Sequence, residues 1–271
     1  MKMITGCNGF IGSHIARKYE KHIGVEIFNA VHMIDNFPNW EEIDEIIHMG
    51  AISSTTETDI NKLHFYNVDL TLRLFEQAII HKIPVKYASS ASVYGNIPGC
   101  KTINPLNHYA MTKAQIDLWV KDNIKRFKHI QGFRIFNCYG QGEDHKGNQA
   151  SPIHKFTKQA KETGIIKIFK KSETMLRDFV WVGDVVSVIT GNSAPSGIYD
   201  IGSGLQKSFY DVAHLIAERY NAKIVNIPFP SHLEGKYQYN TIADIDWTDC
   251  EAFLSVDNYL DPAFVVPGEN R

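Results

Sequence analysis

Short apolar runs of a few residues alternate with longer stretches in which apolar side chains recur every three or four positions, and this alternation holds through the first two thirds of the chain. Lys2–Thr5 opens the chain as an apolar strand. Residues 10–22 read as a helix, 25–28 as a short strand and 45–49 as another. Residues 59–81 have helical periodicity, with Leu63, Val68, Leu70, Leu74, Phe75 and Ala78 able to share one broad face. Residues 84–88 form a strand that ends in Ser89-Ser90, 110–127 a second long helix, and 130–137 the strand after it. Strands alternating with helices predict an α/β fold: a Rossmann-like, doubly wound parallel sheet with helices on both faces. The last third is less regular. It predicts a helix over 151–163, strands over Ile165–Phe169, 179–182 and Gly197–Ile201, and a helix over Phe209–Tyr220. Such a tail suits a smaller C-terminal lobe. The expected division is a larger unit of 1–145, to which 178–202 return, and a lobe made of 146–177 and 203–271.

Composition narrows the class. A chain of 271 residues has room for one large domain with a small lobe. Its net charge of −2 gives no reason to expect a nucleic-acid partner. Lys167, Lys170 and Lys171 read as a solvated face. The four cysteines, Cys7, Cys100, Cys138 and Cys250, are far apart and form no Cys-x-x-Cys pair, which argues against a metal site and a disulfide framework. A reducing cytoplasm follows as the expectation. No leader-like segment precedes the first strand, and no apolar run approaches the ~18 residues a bilayer requires, so no membrane partner is expected.

The first strand leads into Gly6-Cys7-Asn8-Gly9-Phe10-Ile11-Gly12. In a dinucleotide site the first glycine makes the tight turn, the second lets backbone approach a pyrophosphate, and the third lets helix pack on strand. The helix start then offers free N–H groups and a partial positive charge to phosphate. An acidic residue about 20 positions onward usually holds the adenosine ribose. Glu26, Asn29 and Asp35 are all candidates here, and 25–29 could be either the second or the third strand of the sheet.

Tyr109 and Lys113 are four residues apart at the start of a helix, a spacing that puts both side chains on one face. An ammonium near a phenol favours phenolate and is expected to bring Tyr109 down towards neutrality, fit to exchange a proton with a hydroxyl group. Ser90, at the end of its strand, can hydrogen-bond the same oxygen.

The order of glycine turn, strand ending in Ser-Ser, and Tyr-x-x-x-Lys resembles the extended short-chain dehydrogenase/reductases. His48-Met49-Gly50-Ala51, Asn67-Val68 and Arg134-Ile135-Phe136-Asn137-Cys138-Tyr139-Gly140 add to the resemblance. Further tokens are similar to the ADP-heptose 6-epimerase branch: Gly50-Ala51-Ile52-Ser53-Ser54-Thr55-Thr56-Glu57, His145-Lys146-Gly147, Arg177-Asp178-Phe179-Val180, and Ile227-Pro228-Phe229-Pro230 with Gly235-Lys236-Tyr237-Gln238. The resemblance implies enzyme-bound NADP or NAD, with NADP favoured, and an ADP-heptose-type sugar nucleotide inverted at C6 through a ketone. It also implies a homo-oligomer. Tyr109 and Lys146 would be the two acid/base groups, assisted by Lys113 and Ser90. Gly6, Gly9, Phe10, Ile11, Gly12, Met49, Gly50, Ala51, Ser53, Asn67, Lys113 and Cys138 would hold the cofactor. Asn137, Asn148, Lys155, Phe169, Ser172, Arg177 and Tyr237 would hold the sugar nucleotide, with the Arg177 fork matched to its diphosphate.

The chain departs from that pattern in two places: the stretch 23–45 is short, and 246–271 shows no convincing terminal helix. Two other readings follow. One is a neighbouring sugar-nucleotide epimerase or reductase. A dehydratase is disfavoured, because Ala91 and Ser92 stand where an acid beside Ser90 would be needed. The other is a shortened, non-catalytic nucleotide binder, which would have no reason to keep Ser90, Tyr109, Lys113 and Lys146 together.

Overall fold

Met3 and Ile4 are adjacent and both buried, so the first strand must be covered on its two faces. The computed structural model, which describes residues 1–96, 102–235, 237–248, 253–261 and 263–264, shows how. The first half runs β1 (Lys2–Thr5), α1 (Phe10–Ala16), β2 (His22–Val25), α2 (Ala30–Asn36), β3 (Glu45–His48), α3 (Ile60–His64), α4 (Leu70–Ile80), β4 (Val85–Ser90), α5 (His108–Asn123) and β5 (Ile130–Ile135). There follow β6 (Asn137–Tyr139), α6 (Pro152–Thr163), β7 (Ile165–Phe169), β8 (Leu176–Trp181), α7 (Val182–Gly191), β9 (Gly197–Ile201), β10 (Gln206–Ser208), α8 (Phe209–Tyr220), β11 (Lys223–Ile227) and α9 (Val256–Leu260).

Six strands form one parallel sheet in the order β2-β1-β3-β4-β5-β9. Met3 and Ile46 face a core shared with Leu74, Phe75, Ile116 and Val120, on the side of α2, α4 and α5. Ile4 and Ile47 face the opposite core with Ile15, Val185 and Ile189, on the side of α1 and α7. The predicted doubly wound α/β sheet is present. Each fully buried Ile, Leu or Phe contributes about 1.5–3 kcal/mol of transfer free energy, so the two layers together hold the sheet flat against its helices.

The smaller C-terminal part contains β10-β8-β6, with β10 antiparallel and β6 parallel to β8, and a parallel pair, β11-β7. Its own core of Tyr139, Ile153, Phe156, Phe179, Phe209, Val212 and Ile216 lies between α6 and α8. We retain the division at 1–145 with 178–202, against 146–177 with 203–271, as a proposal. The chain re-enters the large sheet by way of α7 and β9.

Several expected boundaries move. The helix expected over 10–22 ends at Ala16, where Lys18 N and Tyr19 N turn back onto the Ile15 and Ala16 carbonyls. The strand expected at 25–28 lies three residues earlier, as β2, overlapping it only at Val25; β2 pairs directly with β1, which makes it the second strand and the edge of the sheet. The stretch 59–81 is helical throughout but is broken by a π-helical turn at Phe65–Asp69. The second long helix starts two residues early, because Asn107 caps it by accepting from Ala110 N at 2.9 Å. The strand expected over 130–137 stops at Ile135 and resumes as β6. The strand expected at 179–182 begins at Leu176, and Val182 opens α7, whose valine-rich face fills the α1-side core. The patterning assigned neither α2, β10, β11 nor α9. Cys100, Lys236, Cys250 and the tail from 265 lie outside the described residues.

Candidate active site

The glycine turn is built by close approach. Gly6 adopts φ +64°, and a Cβ there would stand 2.7 Å from Gly50 Cα. A Cβ on Gly12 would stand 2.0 Å from the Gly6 carbonyl oxygen, so only glycine lets α1 start this close to β1. Gly50 N donates to Thr5 Oγ1 (2.9 Å), and Met49 N to the Thr5 carbonyl (3.2 Å), which locks the Met49-Gly50-Ala51 loop beside the turn. His48 anchors this corner from below, bonded to Thr5 Oγ1 and Thr71 Oγ1 at 2.7 and 2.9 Å; burial drives it to about 3, so it stays neutral. Asn67, inside the π-helical turn, bonds both the N–H and the carbonyl of Ile52 and donates to Thr112 Oγ1. Thr112 in turn donates to the Tyr109 carbonyl at 2.7 Å. One side chain thus ties the cofactor-side loop to the first turn of α5. Ser53 is exposed and takes part in none of these contacts.

Of the three acids and amides open for the ribose, the structure separates two. Glu26 follows β2, 20 positions after Gly6, and its Oε1 accepts from Asn8 N (2.7 Å) and the Cys7 thiol (3.3 Å) in the glycine turn. Asp35 lies on α2 in an ion pair with Arg73. Asn29 accepts from Glu26 N at 2.7 Å and holds the acid in place.

Tyr109, Ser90 and Lys113 come together as expected. Ser90 hydrogen-bonds the Tyr109 phenol and also accepts from Ser92 N and Ser92 Oγ. Lys113 Nζ is 6.0 Å from the Tyr109 ring centre and donates to the Ala88 carbonyl at 2.8 Å, which uses one of its three hydrogens. The expected lowering of Tyr109 is not met in the protein alone. Burial raises the phenol and outweighs the Ser90 hydrogen bond, while the same burial brings Lys113 down to about 8. A buried network fixes the helix that carries both. Tyr87 OH donates to Asp117 Oδ1 at 3.0 Å, Arg134 bridges Asp117 Oδ2 (2.7 Å) and Tyr94 OH (2.8 Å), and Tyr94 OH donates to Asp200 Oδ1 (2.6 Å).

Lys146 sits on a separate 3-10 turn, Asp144–Gln149, after β6. Its Nζ lies 4.5 Å over the centre of the Phe10 ring, at the start of α1, and 3.0 Å from Glu143 Oε2. Cys138 lies close enough to feel its charge, although burial raises that thiol. Lys155, on α6, is lowered by burial and by repulsion from Lys146, and donates to the Asn148 carbonyl at 3.4 Å. Asn148 itself is exposed and Asn137 half-buried.

Arg177 is 4% exposed, between the rings of Phe209 (5.4 Å) and Tyr237 (5.2 Å). It donates to the Leu176 carbonyl and hydrogen-bonds Tyr237, but among the described residues no carboxylate pairs with it. The neighbouring Asp178 is committed to Ser203, Gly204 N and Ala243 N. A buried guanidinium without a counter-charge is a site for an anion. Phe169 joins this group through Phe229, and Ser172 is buried in the turn before β8. Tyr237 and its neighbours dock onto the Ser90 side of the molecule: Asn96 donates to the Tyr237 carbonyl, and Gln238 to the Ala91 and Gly95 carbonyls. The Arg177 cluster therefore adjoins the turn that follows Ser90.

The model of the NAD dependent epimerase/dehydratase family matches residues 3–202. The chain belongs to that family. Two relatives named ADP-L-glycero-D-manno-heptose-6-epimerase are similar to it. The one from Brachyspira hyodysenteriae is 35% identical, with 90% of this chain and 89% of the relative covered; the one from Alkalilimnicola ehrlichii is 31% identical, with 98% of each covered. Among solved structures, the ADP-L-glycero-D-manno-heptose-6-epimerase of Helicobacter pylori superposes with a TM-score of 0.78 at 24% identity, covering 96% of this chain and 93% of that one. Pal from Bacillus thuringiensis superposes with a TM-score of 0.83 at 17% identity, covering 96% of each. At these identities the two structures speak for the fold alone. An NAD-dependent sugar-nucleotide epimerase is what the family and the named relatives establish.

The residues present fit the family's cofactor. A side chain at Gly6 or Gly12 would run into backbone, no side chain among the described residues caps the first turn of α1, and Lys113 has donors to spare for ribose hydroxyls. Sequence reasoning left Glu26 unassigned and missed Glu143. The first was hidden by the uncertain register of β2. The second was marked only by its place three residues before Lys146. No helix among the described residues is long and apolar enough to cross a membrane.

Proposed function

We propose that this enzyme inverts C6 of the heptose in ADP-glycero-manno-heptose through a transient ketone, with Tyr109 and Lys146 as the two acid/base groups. The observation that carries this reading is Lys146. Its amine reaches Phe10 at the glycine turn from a loop unrelated to the Tyr109 helix. Inversion through a ketone needs proton exchange on both faces of one carbon, and two groups on separate elements can provide it. The nicotinamide, when bound, supplies hydride uptake from C6 and its return to the other face. Ser90 orients the phenol oxygen, and Lys113 holds the ribose and favours the phenolate once ligand is bound. Arg177 takes the diphosphate between its two aromatic rings, with Tyr237 and Phe169 packed around it. Lys155, Asn148, Asn137 and Ser172 surround the sugar.

Glu26 supports NAD in place of the NADP that the resemblance implies. A carboxylate at the end of β2 accepts ribose hydroxyls and repels a 2′-phosphate. The test is incubation with ADP-D-glycero-D-manno-heptose, with NAD and NADP in parallel, followed by product analysis. Tyr109→Phe and Lys146→Met should each lower epimerisation by about 10²–10⁴-fold while thermal unfolding stays cooperative. Full activity in both variants would refute the two-base assignment. Turnover of UDP-hexoses in preference to the ADP-heptose would replace the substrate.

A further inference from the structure

Glu143 is fully buried, and its carboxylate gathers four donors: Gly140 N (3.2 Å), Ser151 N (2.6 Å), Ser151 Oγ (2.7 Å) and Lys146 Nζ (3.0 Å). The first three come from the end of β6 and from the residue that caps α6, since Ser151 Oγ also accepts from His154 N. The carboxylate is therefore fixed on two elements of the fold and cannot follow the lysine. Lys146 is the opposite case: four rotatable bonds on a 3-10 turn that contains Gly147 at φ +51°. Left alone, its amine would sample many positions, and fixing one costs side-chain entropy. The carboxylate on one side and the Phe10 ring on the other define a single point for Nζ.

We infer that Glu143 is the positioning residue for Lys146: it fixes the amine at one point over Phe10, so that Lys146 serves as the proton donor and Tyr109 as the acceptor. This rests on the reading of Lys146 as the second acid/base group. The proton balance closes. The C6 hydroxyl loses its proton to the Tyr109 phenolate as hydride leaves carbon. When hydride returns to the other face, the new alkoxide takes a proton from the Lys146 ammonium, and solvent then restores both groups. Without an acidic partner, two amines would compete here, because Lys155 approaches from α6. The other ionisable groups around the pair are His14, which packs on the Phe10 ring from α1, the raised Cys138 thiol, Asp184 beyond it on α7, and the His154–Asp144 pair at 3.7 Å towards solvent. Glu143 is the one that bonds Nζ.

Trace acetylation of the unliganded full chain, read by mass spectrometry, tests this without substrate or cofactor, because an amine held against a carboxylate is masked from acetic anhydride. Exposed Lys158 serves as the internal standard. Glu143→Gln, which releases the amine from the carboxylate that holds it, should acetylate Lys146 several-fold faster than wild type at the same pH. Ser151→Ala, which removes a donor and keeps the charge, should leave the rate unchanged. If Glu143→Gln does not fold, Glu143→Asp is used. Its carboxylate is one methylene shorter, and an intermediate acceleration is expected. In the epimerase assay, Glu143→Gln should lower kcat and leave KM within about twofold, as expected for a group that acts only in the chemical steps. An unchanged acetylation rate in both Glu143 variants overturns the proposal. Faster acetylation combined with a fully active Lys146→Met sinks the two-base reading and leaves the pairing standing.

Discussion

Lys113 is buried beside Tyr109, and burial brings its ammonium down to about 8, while the unfolded chain titrates near 10.4. Because the folded value is the lower one, the folded state bears the cost of a buried charge fully below about pH 8. The cost fades as pH rises towards the unfolded value. The lost bond to the Ala88 carbonyl offsets part of the gain from removing that charge. Lys113→Met should therefore stabilise the unliganded protein by about 1–2 kcal/mol at pH 7, measured by urea unfolding. The gain should shrink towards pH 10.5, and cofactor binding should be lost. A destabilised variant at pH 7 would show that the lysine is retained for stability. The Tyr-x-x-x-Lys pair itself was legible from spacing, because one helical face carries both residues. Its electrostatics were not: burial, which depends on α4, β4 and α5 packing together, reverses the expected direction at Tyr109.

The glycine turn shows what spacing conveys at the scale of elements. Three glycines after a strand predict a close crossing, and the 2.0 Å that a Gly12 Cβ would leave to the Gly6 carbonyl bears that out. Gly12→Ala should cost about 2–4 kcal/mol, since backbone and not a flexible side chain must move. Urea unfolding followed by circular dichroism measures it, and a cost below 1 kcal/mol would mean that α1 can slide along β1. Other elements were hidden for physical reasons. In α7, the residues Val182, Val185, Val186, Val188 and Ile189 are β-branched, a composition that favours strand, so the patterning predicts only the strand at 179–182 and not the helix after it. The break at Phe65–Asp69 preserves the apolar periodicity on both sides, so a stretch with one extra backbone position looks like a single helix. Glu26 escaped assignment because β2 is only four residues long, and its register is set by pairing with β1.

At the scale of the molecule, the parallel sheet and the smaller sheets meet where Asn96 and Gln238 join the Tyr237 segment to the turn after Ser90. That contact brings the buried Arg177 towards the Ser90 end of β4, although the two are far apart in sequence. Saturating ADP should raise the melting temperature by several degrees, since about 2.7 kcal/mol of stabilisation accompanies a hundredfold excess over Kd. Arg177→Met should abolish that rise and leave the unliganded protein at least as stable, because a desolvated guanidinium has been removed. An undiminished rise would place the diphosphate elsewhere. The resemblance made Arg177 a candidate, but the sequence could not tell whether Asp178 neutralised it. The folded chain gives Asp178 to the 203–204 turn and Ala243. The sheet also ends at β2, four residues long and with Phe28 83% exposed just beyond it. On the proposed reading, with adenosine beside Glu26, no further strand among the described residues walls that side of its berth. On the same reading, a carrier departing in its reduced form would strand the half-finished sugar as a ketone.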